Sequence, residues 1–387
     1  MDERTRAYLR GRFRDYYRKT ELSLPPAAER REWGYIPWTG GSGTTMIRHQ
    51  SLYDLGNVSE FLARQRPRHV YFSAGRYRDP GAGTMGEKGW EGSDLVFDLD
   101  ADHLPAVTPG EDAYGEMLAA CKEALWRLLA FLRSDFGFPG EEMRIVFSGG
   151  RGYHVHVREE SVRGLDREAR REIVDYVRGI GVEFDSLVDT APSGTATRRV
   201  LRTDGGWGQR VHRRLLAFLD DLAAMDDAEA LSRLREFERI GEKRSMAVLR
   251  VARENREEIE RGTVELGGPA IRTLAEAITE RTVAEKSAAI DEPVTTDIHR
   301  LIRLPRSLHG GSALAVTPID YDDLDGFDPL VDAVPDVFAD EEVRVRTGGG
   351  PDVTLAGETF TLPEGVTTLP EYAALFLMAR GRGEKAE

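Results

Sequence analysis

One cysteine, Cys121, stands among 387 residues, so an intramolecular disulfide and any cysteine-built structural zinc site are excluded by arithmetic. A bound metal must then rest on oxygen or imidazole. Lysine is also scarce, with six against 47 arginines among the 53 cations. That skew fits a GC-rich genome. No apolar run approaches the roughly 18 residues that cross a bilayer, and the opening MDERTRAYLRGRFRDYY is charged from its second residue, with no secretory apolar stretch. The expectation is a soluble, cytoplasmic protein with no membrane partner. Charge is unbalanced: 53 cations against 67 acids leave −14. An acidic, lysine-poor surface suits a salt-rich cytoplasm and argues against non-specific adhesion to nucleic acid. Arginines gathered in one groove could still hold phosphates.

The 40% of apolar residues suffice for a sizeable core, and 387 residues allow two or three folding units or one large unit with an insertion. Residues 1–65 read as an arginine-rich amphipathic helix, a proline connector and the stretch MIRHQSL. VYFSAGRY and SDLVFDLDADH read as strands, and Tyr114 to Ser134 as a helix whose apolar face carries Cys121 as a small core residue. MRIVFSGGRGYHVHVR reads as strand, glycine-rich turn, strand, and a helix follows over Asp166 to Arg178. From about Gly206 to Ala289 the composition shifts to Glu, Arg, Ala and Leu with long helical periodicity. This stretch reads as a helical insertion, 206–289, between two parts of one catalytic core, 1–205 and 290–387. The fold class expected is α/β, mixed α+β, with mixed sheets flanked by helices.

Three regions carry chemistry. In SDLVFDLDADH a strand sends Leu95, Phe97 and Leu99 to one face, and Asp98 and Asp100 side by side to the other. Two carboxylates about 7 Å apart on one strand face call for a cation, and hard oxygen ligands select Mg²⁺ or Mn²⁺. Ordinary acids on a solvated edge strand are the competing reading. In SGGRGYHVHV, glycine amides, the Arg151 guanidinium and the Ser148 hydroxyl suit a phosphate, and His154 and His156 share a strand face. A tight hairpin needing glycine only for its backbone angles competes here. The third region, Asp291 to His309, combines Asp291 and Asp297 with Arg300, Arg303, Arg306 and SLHG. Taken singly, Arg300 and Arg306 read as surface charges. Together the regions supply three acids for two ions, with Arg151, His154, Arg303 and His309 to orient a triphosphate during in-line displacement.

These motifs resemble the catalytic small subunit of the archaeal and eukaryotic type of DNA primase, the archaeal form most closely, over most of the chain. The strand ending in DxD matches Asp98 and Asp100, SGxRGxH matches Ser148, Arg151 and His154, and DEPVTTDIHRLIRLPRSLH matches with Asp291, Arg303 and His309. The resemblance favours Asp291 over Asp297, because the family's third acid stands on a strand before a basic helix, whereas Asp297 would cap that helix. REWGYIPW and MIRHQSL are similar to the family's N-terminal segment, and a helical subdomain between the second and third motifs is a family habit. What the resemblance implies is template-directed synthesis of short primers, two Mg²⁺ or Mn²⁺ ions on Asp98, Asp100 and Asp291, a single-stranded DNA template, nucleoside triphosphates, and a large primase subunit as partner. Many relatives carry a zinc knuckle after the DxD strand; Cys121 alone stands there, so no structural zinc is expected.

Other chemistries fit less well. A DxD phosphatase wants Thr or Val where Asp102 stands, and a metallohydrolase using HxH needs further ligand histidines that the eight scattered ones do not provide. A non-enzymatic single-strand-binding module would have no use for three converging acids.

Overall fold

The structure, a computed structural model, describes residues 1–39, 45–104, 114–193, 196–266 and 268–387. Contacts along the chain separate two units, one of residues 1–125, 138–171 and 289–387, the other of 126–137 and 172–288. Helices and antiparallel sheets alternate throughout, the mixed α/β class expected from the sequence.

The first unit opens with helix Glu3–Lys19, whose N-cap Asp2 accepts a hydrogen bond from the Thr5 amide. Leu9, Phe13, Tyr16 and Tyr17 recur at helical spacing and are buried. Strands β1 (Trp33–Ile36), β2 (Ile47–Gln50) and β3 (His69–Ser73) follow, then the short pair β4 (Gly75–Tyr77) and β5 (Trp90–Ser93). Next come β6 (Leu95–Asp100), β7 (Met143–Phe147) and β8 (Gly152–Val157).

The second unit holds the hairpin of β9 (Val188–Ser193) and β10 (Ala196–Leu201), then helices from Gly206–Ala224 to Pro269–Lys286. Residues 206–288 of the stretch with helical periodicity lie in this unit, which also takes in 126–137 and 172–205. Leu215, Leu219 and Leu222 lie on one stripe of Gly206–Ala224 and are fully buried, as are Val248, Ile271 and Leu274 on its neighbours.

Back in the first unit, β11 (Leu301–Arg303) joins one sheet and β12 (Thr317–Ile319) the other; β13 (Glu342–Leu355), β14 (Glu358–Pro370) and β15 (Gly383–Lys385) form a third, beside helix Glu371–Ala379. The first sheet has the order β11-β3-β1-β2 and the second β12-β7-β8-β6, all neighbours antiparallel.

Pairing of β6 with β8 separates two faces. Leu95, Phe97 and Leu99 stand opposite Val157, Val155 and Tyr153, all fully buried, while Asp98 stands opposite His154 and Asp100 opposite Gly152. Cys121 Sγ contacts the Leu99 carbonyl at 3.4 Å, so helix Tyr114–Ser134 covers the apolar face. The two sheets meet where His156 stacks on Phe72, with ring centroids 6.0 Å apart, and where Ala74, Val96, Val294 and Ile302 cluster.

Two expectations about the third motif are corrected. The basic segment is strand β11, not a helix, because Ile302 and Leu304 alternate inward at period two while Leu301 and Arg303 face the other way. The helix lies earlier, at Glu292–Thr296, so Asp297 ends it rather than starts it, and its Oδ1 accepts from the His299 amide at 2.9 Å. Asp291 is that helix's N-cap in extended backbone, with no side-chain capping bond, which leaves its carboxylate available.

Candidate active site

The base of strand β6 is anchored before its carboxylates appear. Asp94, fully buried, receives Arg31 Nη2 at 2.7 Å, Arg76 Nη2 at 3.1 Å and Arg158 Nε at 3.4 Å. Arg31 and Arg76 hold this carboxylate by charge-assisted hydrogen bonds, and Arg158 adds a third guanidinium charge beside it. Arg170 adds bonds to the Ser93 and Asp94 carbonyls at 2.8 and 3.1 Å. The strand that follows therefore leaves a rigid root and carries Asp98 and Asp100 outward.

Asp291 reaches them through the backbone: its amide donates to the Asp98 carbonyl at 2.9 Å. All three acids line one cavity of about 450 Å³, together with His154, Tyr71, Arg48, Arg300 and Arg303. Arg303 stands opposite Tyr71 in the sheet register and lies over its ring at 5.8 Å. Burial pushes the Asp98 carboxyl up to about 7, helped by the charges of Asp100 and Asp291 and opposed by Arg303 and Arg300. His154 sits 3.4 Å from Asp98 Oδ1, and burial, with Arg303 and Arg300, pushes it down to about 3. It is a neutral imidazole at working pH.

The glycine loop lies next to this cavity. Gly149 has φ +73°, and a Cβ there would meet the His309 Cβ at 2.7 Å; a Cβ on Gly152 would collide with the Leu99 carbonyl. The glycines thus permit close approach both to β6 and to His309. The Gly150 amide donates to Ser148 Oγ at 3.3 Å, so the buried Ser148 hydroxyl shapes the turn in this structure. Arg151 grips Asp102 with two bonds, Nη1 to Oδ1 at 2.7 Å and Nη2 to Oδ2 at 2.6 Å, and its Nε lies 3.7 Å from Asp100.

His309 comes from a separate turn. The Gly311 amide donates to its Nδ1 at 3.2 Å, which leaves the proton of the neutral ring on Nε2. Burial, with Arg303, His69 and Arg68, pushes its pKa well below the ordinary value, so that ring is neutral too. It packs edge-on against His69 at 4.8 Å. Ser312 Oγ donates to the Gly149 carbonyl, tying this turn to the glycine loop.

The structure therefore brings Asp98, Asp100, Asp291, His154 and Arg303 to one cavity, with Arg151 adjoining it through Asp100, and joins Ser148 and His309 in the flanking loop pair. Sequence reasoning missed Arg48, Tyr71 and Asp94, and it left Arg300 as a surface charge, whereas Arg300 lines the cavity. Arg300 immediately precedes LIRL, whose alternation argues for a strand there rather than a helix surface.

A family model of the DNA primase small subunit matches residues 97–321. The chain belongs to the DNA primase small subunit family. It is similar to the small subunit PriS of Haloarcula marismortui, 59% identical over 394 residues and covering 100% of both chains. PriS of Halobacterium salinarum is 56% identical over 392 residues, covering 100% of both, and that of Methanococcoides burtonii 41% identical over 394, covering 99% of each. A primase small subunit is the nucleotidyltransferase that synthesises primers, acting on a DNA template with nucleoside triphosphates and divalent metal ions. The haloarchaeal relatives agree with the acidic, lysine-poor composition.

The donor set suits such ions. Three carboxylates supply hard oxygens, and the raised Asp98 is a group whose ionised form a cation would stabilise. Among the described residues, no group of three or more His, Cys, Asp or Glu is already set to hold a metal. Asp100 Oδ1 accepts from the Asp102 amide at 3.2 Å, and Asp98 Oδ1 lies 3.4 Å from His154 Nε2. Among the described residues no helix is long and apolar enough to cross a membrane.

Proposed function

We propose that primer synthesis proceeds at the cavity of Asp98, Asp100 and Asp291, which would hold two Mg²⁺ or Mn²⁺ ions, with Ser148, Arg151, His154, Arg303 and His309 receiving the nucleotide. When bound, such ions would supply activation of an attacking 3′-hydroxyl and neutralisation of leaving pyrophosphate. The reading rests on one observation: three acids, one of them raised to about 7, converge where Arg300 and Arg303 make no ion pair among the described residues. Two guanidiniums without carboxylates, beside three carboxylates of which only Asp100 has a guanidinium in ion-pair reach among the described residues, Arg151 at 3.7 Å, suit a magnesium-bound triphosphate.

Each side chain has a task in that scheme. Arg151 would exchange Asp102 for a phosphate oxygen, its planar fork suiting either partner. His309, neutral with Nε2–H, donates a hydrogen bond without adding charge. His154, also neutral, orients Asp98 rather than pairing with it as a cation. Arg303 is aimed by its packing on Tyr71. Residues 1–205 and 290–387 act as the catalytic core, with 206–289 inserted. A large primase subunit completes the enzyme in the cytoplasm, and no structural zinc takes part; Cys121, the one cysteine, is buried against the Leu99 carbonyl.

Manganese binding by electron paramagnetic resonance, beside primer synthesis on single-stranded template, tests this. Asp98→Ala and Asp291→Ala each lose bound Mn²⁺ and primer while remaining cooperatively folded. A near-normal primer yield from Asp291→Ala would sink the assignment. Elemental analysis finding one zinc per chain would overturn the zinc-free expectation.

A further inference from the structure

Many arginines of this acidic chain sit on a carboxylate, but one groove gathers several that do not. It lies in the first unit between helix Glu3–Lys19 and helix Val58–Gln65, encloses about 520 Å³, and is lined by Arg14, Arg18, Arg64 and Arg66, with Tyr17 and Glu60. Arg14 Nε lies 3.0 Å from Asp15. Among the described residues Arg18, Arg64 and Arg66 form no ion pair, and Arg66 Nε is buried without a hydrogen-bond partner. Arg10, Arg14 and Arg18 recur every four residues, a spacing that sets side chains about 5–6 Å apart along one helix face. In a protein of charge −14, cations gathered this way form a local positive patch that favours an anion.

The groove adjoins the nucleotide-binding turn. The Tyr17 hydroxyl accepts from the Leu308 amide at 3.2 Å, immediately before His309. Two residues past the groove's Arg66, Arg68 packs against Gly310, where an added Cβ would collide with it, and its guanidinium lies 5.8 Å over Trp38. A path of cations thus leads from the outer end of Glu3–Lys19 toward His309.

We infer that this groove carries the phosphates of the single-stranded template, delivering the strand to the His309 side of the site. The inference rests on the proposed primer-synthesis reading and adds to it where the template runs. A free triphosphate fits less well. The cations are spread along two helices rather than focused on one point, and the groove offers a single carboxylate, Glu60, for a metal. A polyanion with regular spacing matches that row, and each contact released adds to the salt dependence of binding.

The test measures equilibrium binding of a fluorescent oligo-dT, without metal or nucleotide, over a series of KCl concentrations. Arg18→Gln/Arg64→Gln/Arg66→Gln should weaken binding about tenfold or more, and the log–log salt slope should become shallower by about 2, near 0.7 per lost phosphate contact on a single strand. ATP affinity in Mg²⁺ should not change. The control Arg253→Gln/Arg256→Gln removes two arginines paired with Asp227 and Asp220 and should leave binding and slope as they are. Should the triple variant not fold, Arg18→Gln and Arg64→Gln singly should each shift the slope by about 0.7. An unchanged slope in a folded variant, an equal loss in the control, or loss of ATP affinity with the oligonucleotide retained would each overturn the inference. Asp98→Ala separates the two readings: it should bind oligo-dT normally and make no primer. Primer from that variant would defeat the catalytic assignment while leaving the groove result standing.

Discussion

The two units differ in where charge of one sign gathers. In the helical second unit, several surface arginines pair with acids: Arg199 with Asp185, Arg214 with Glu285, Arg253 with Asp227, and Arg256 with Asp220. In the first unit, charge of one sign is collected. Three acids share the cavity, three guanidiniums surround Asp94, and a row of arginines lines the groove beside the N-terminal helix. Paired charge keeps a surface solvated and is worth little energy. Segregated charge costs stability and persists where a ligand or a buried partner compensates it. Within this one acidic chain, then, the proposed binding surfaces are places where charge of one sign gathers.

The sharpest way to break that contrast is to remove charge from each region and compare. Asp98→Ala or Asp100→Ala should cut primer synthesis a thousandfold or more, whereas Asp220→Ala in the second unit leaves it unchanged; primer gels with a thermal melt decide, and near-normal yield from either cavity variant refutes the role. Next in size, Asp94→Ala leaves three guanidiniums around a missing carboxylate, and removing one partner of a buried ion pair costs about 3–5 kcal/mol. Denaturant titration should show that loss; a cost under about 1 kcal/mol would mean that water reaches the site.

Arg151→Ala and His309→Ala should raise the nucleotide KM about tenfold or more while oligo-dT affinity moves little. Equal loss of both would point to a folding or template defect. A smaller effect follows from Asp98. Its carboxyl stays neutral up to about pH 7 in the folded state, against about 3.9 when unfolded. Folding therefore loses stability as pH rises between these values, and the loss is complete above the higher one. In metal-free buffer Asp98→Asn should melt a few degrees above the unmodified protein at pH 8 and together with it near pH 4. Parallel melting curves at both pH values would contradict the burial argument. Smallest of all, Arg256→Ala should cost no more than about 1 kcal/mol, since its pair with Asp220 is exposed.

Period-two alternation made β6 legible, down to which residues face the core and which face the site. The same rule applied to LIRL would have revealed β11; the arginine-rich look of the segment and its resemblance to a helical motif overrode it. Arg300 was misread for that reason, since on a helix surface it would be solvated, while just before β11 it lines the cavity. Asp94 left no sequence signal. Its three partners come from positions 31, 76 and 158, and only packing brings them together.

The order of residues alone determined the catalytic alphabet: which acids share a strand face, where glycine must stand so that backbone can approach backbone, and that no thiol framework could exist. These are local properties, set by a two-residue repeat, by a missing Cβ and by counting. Tertiary structure decided which acid from a distant segment joins the pair, that Arg151 rests on Asp102, that both site histidines are neutral, and that a row of arginines lies open beside the His309 turn. Those outcomes depend on burial and on distances between segments hundreds of residues apart. Electrostatic energy follows separation in space, and separation along the chain does not encode it.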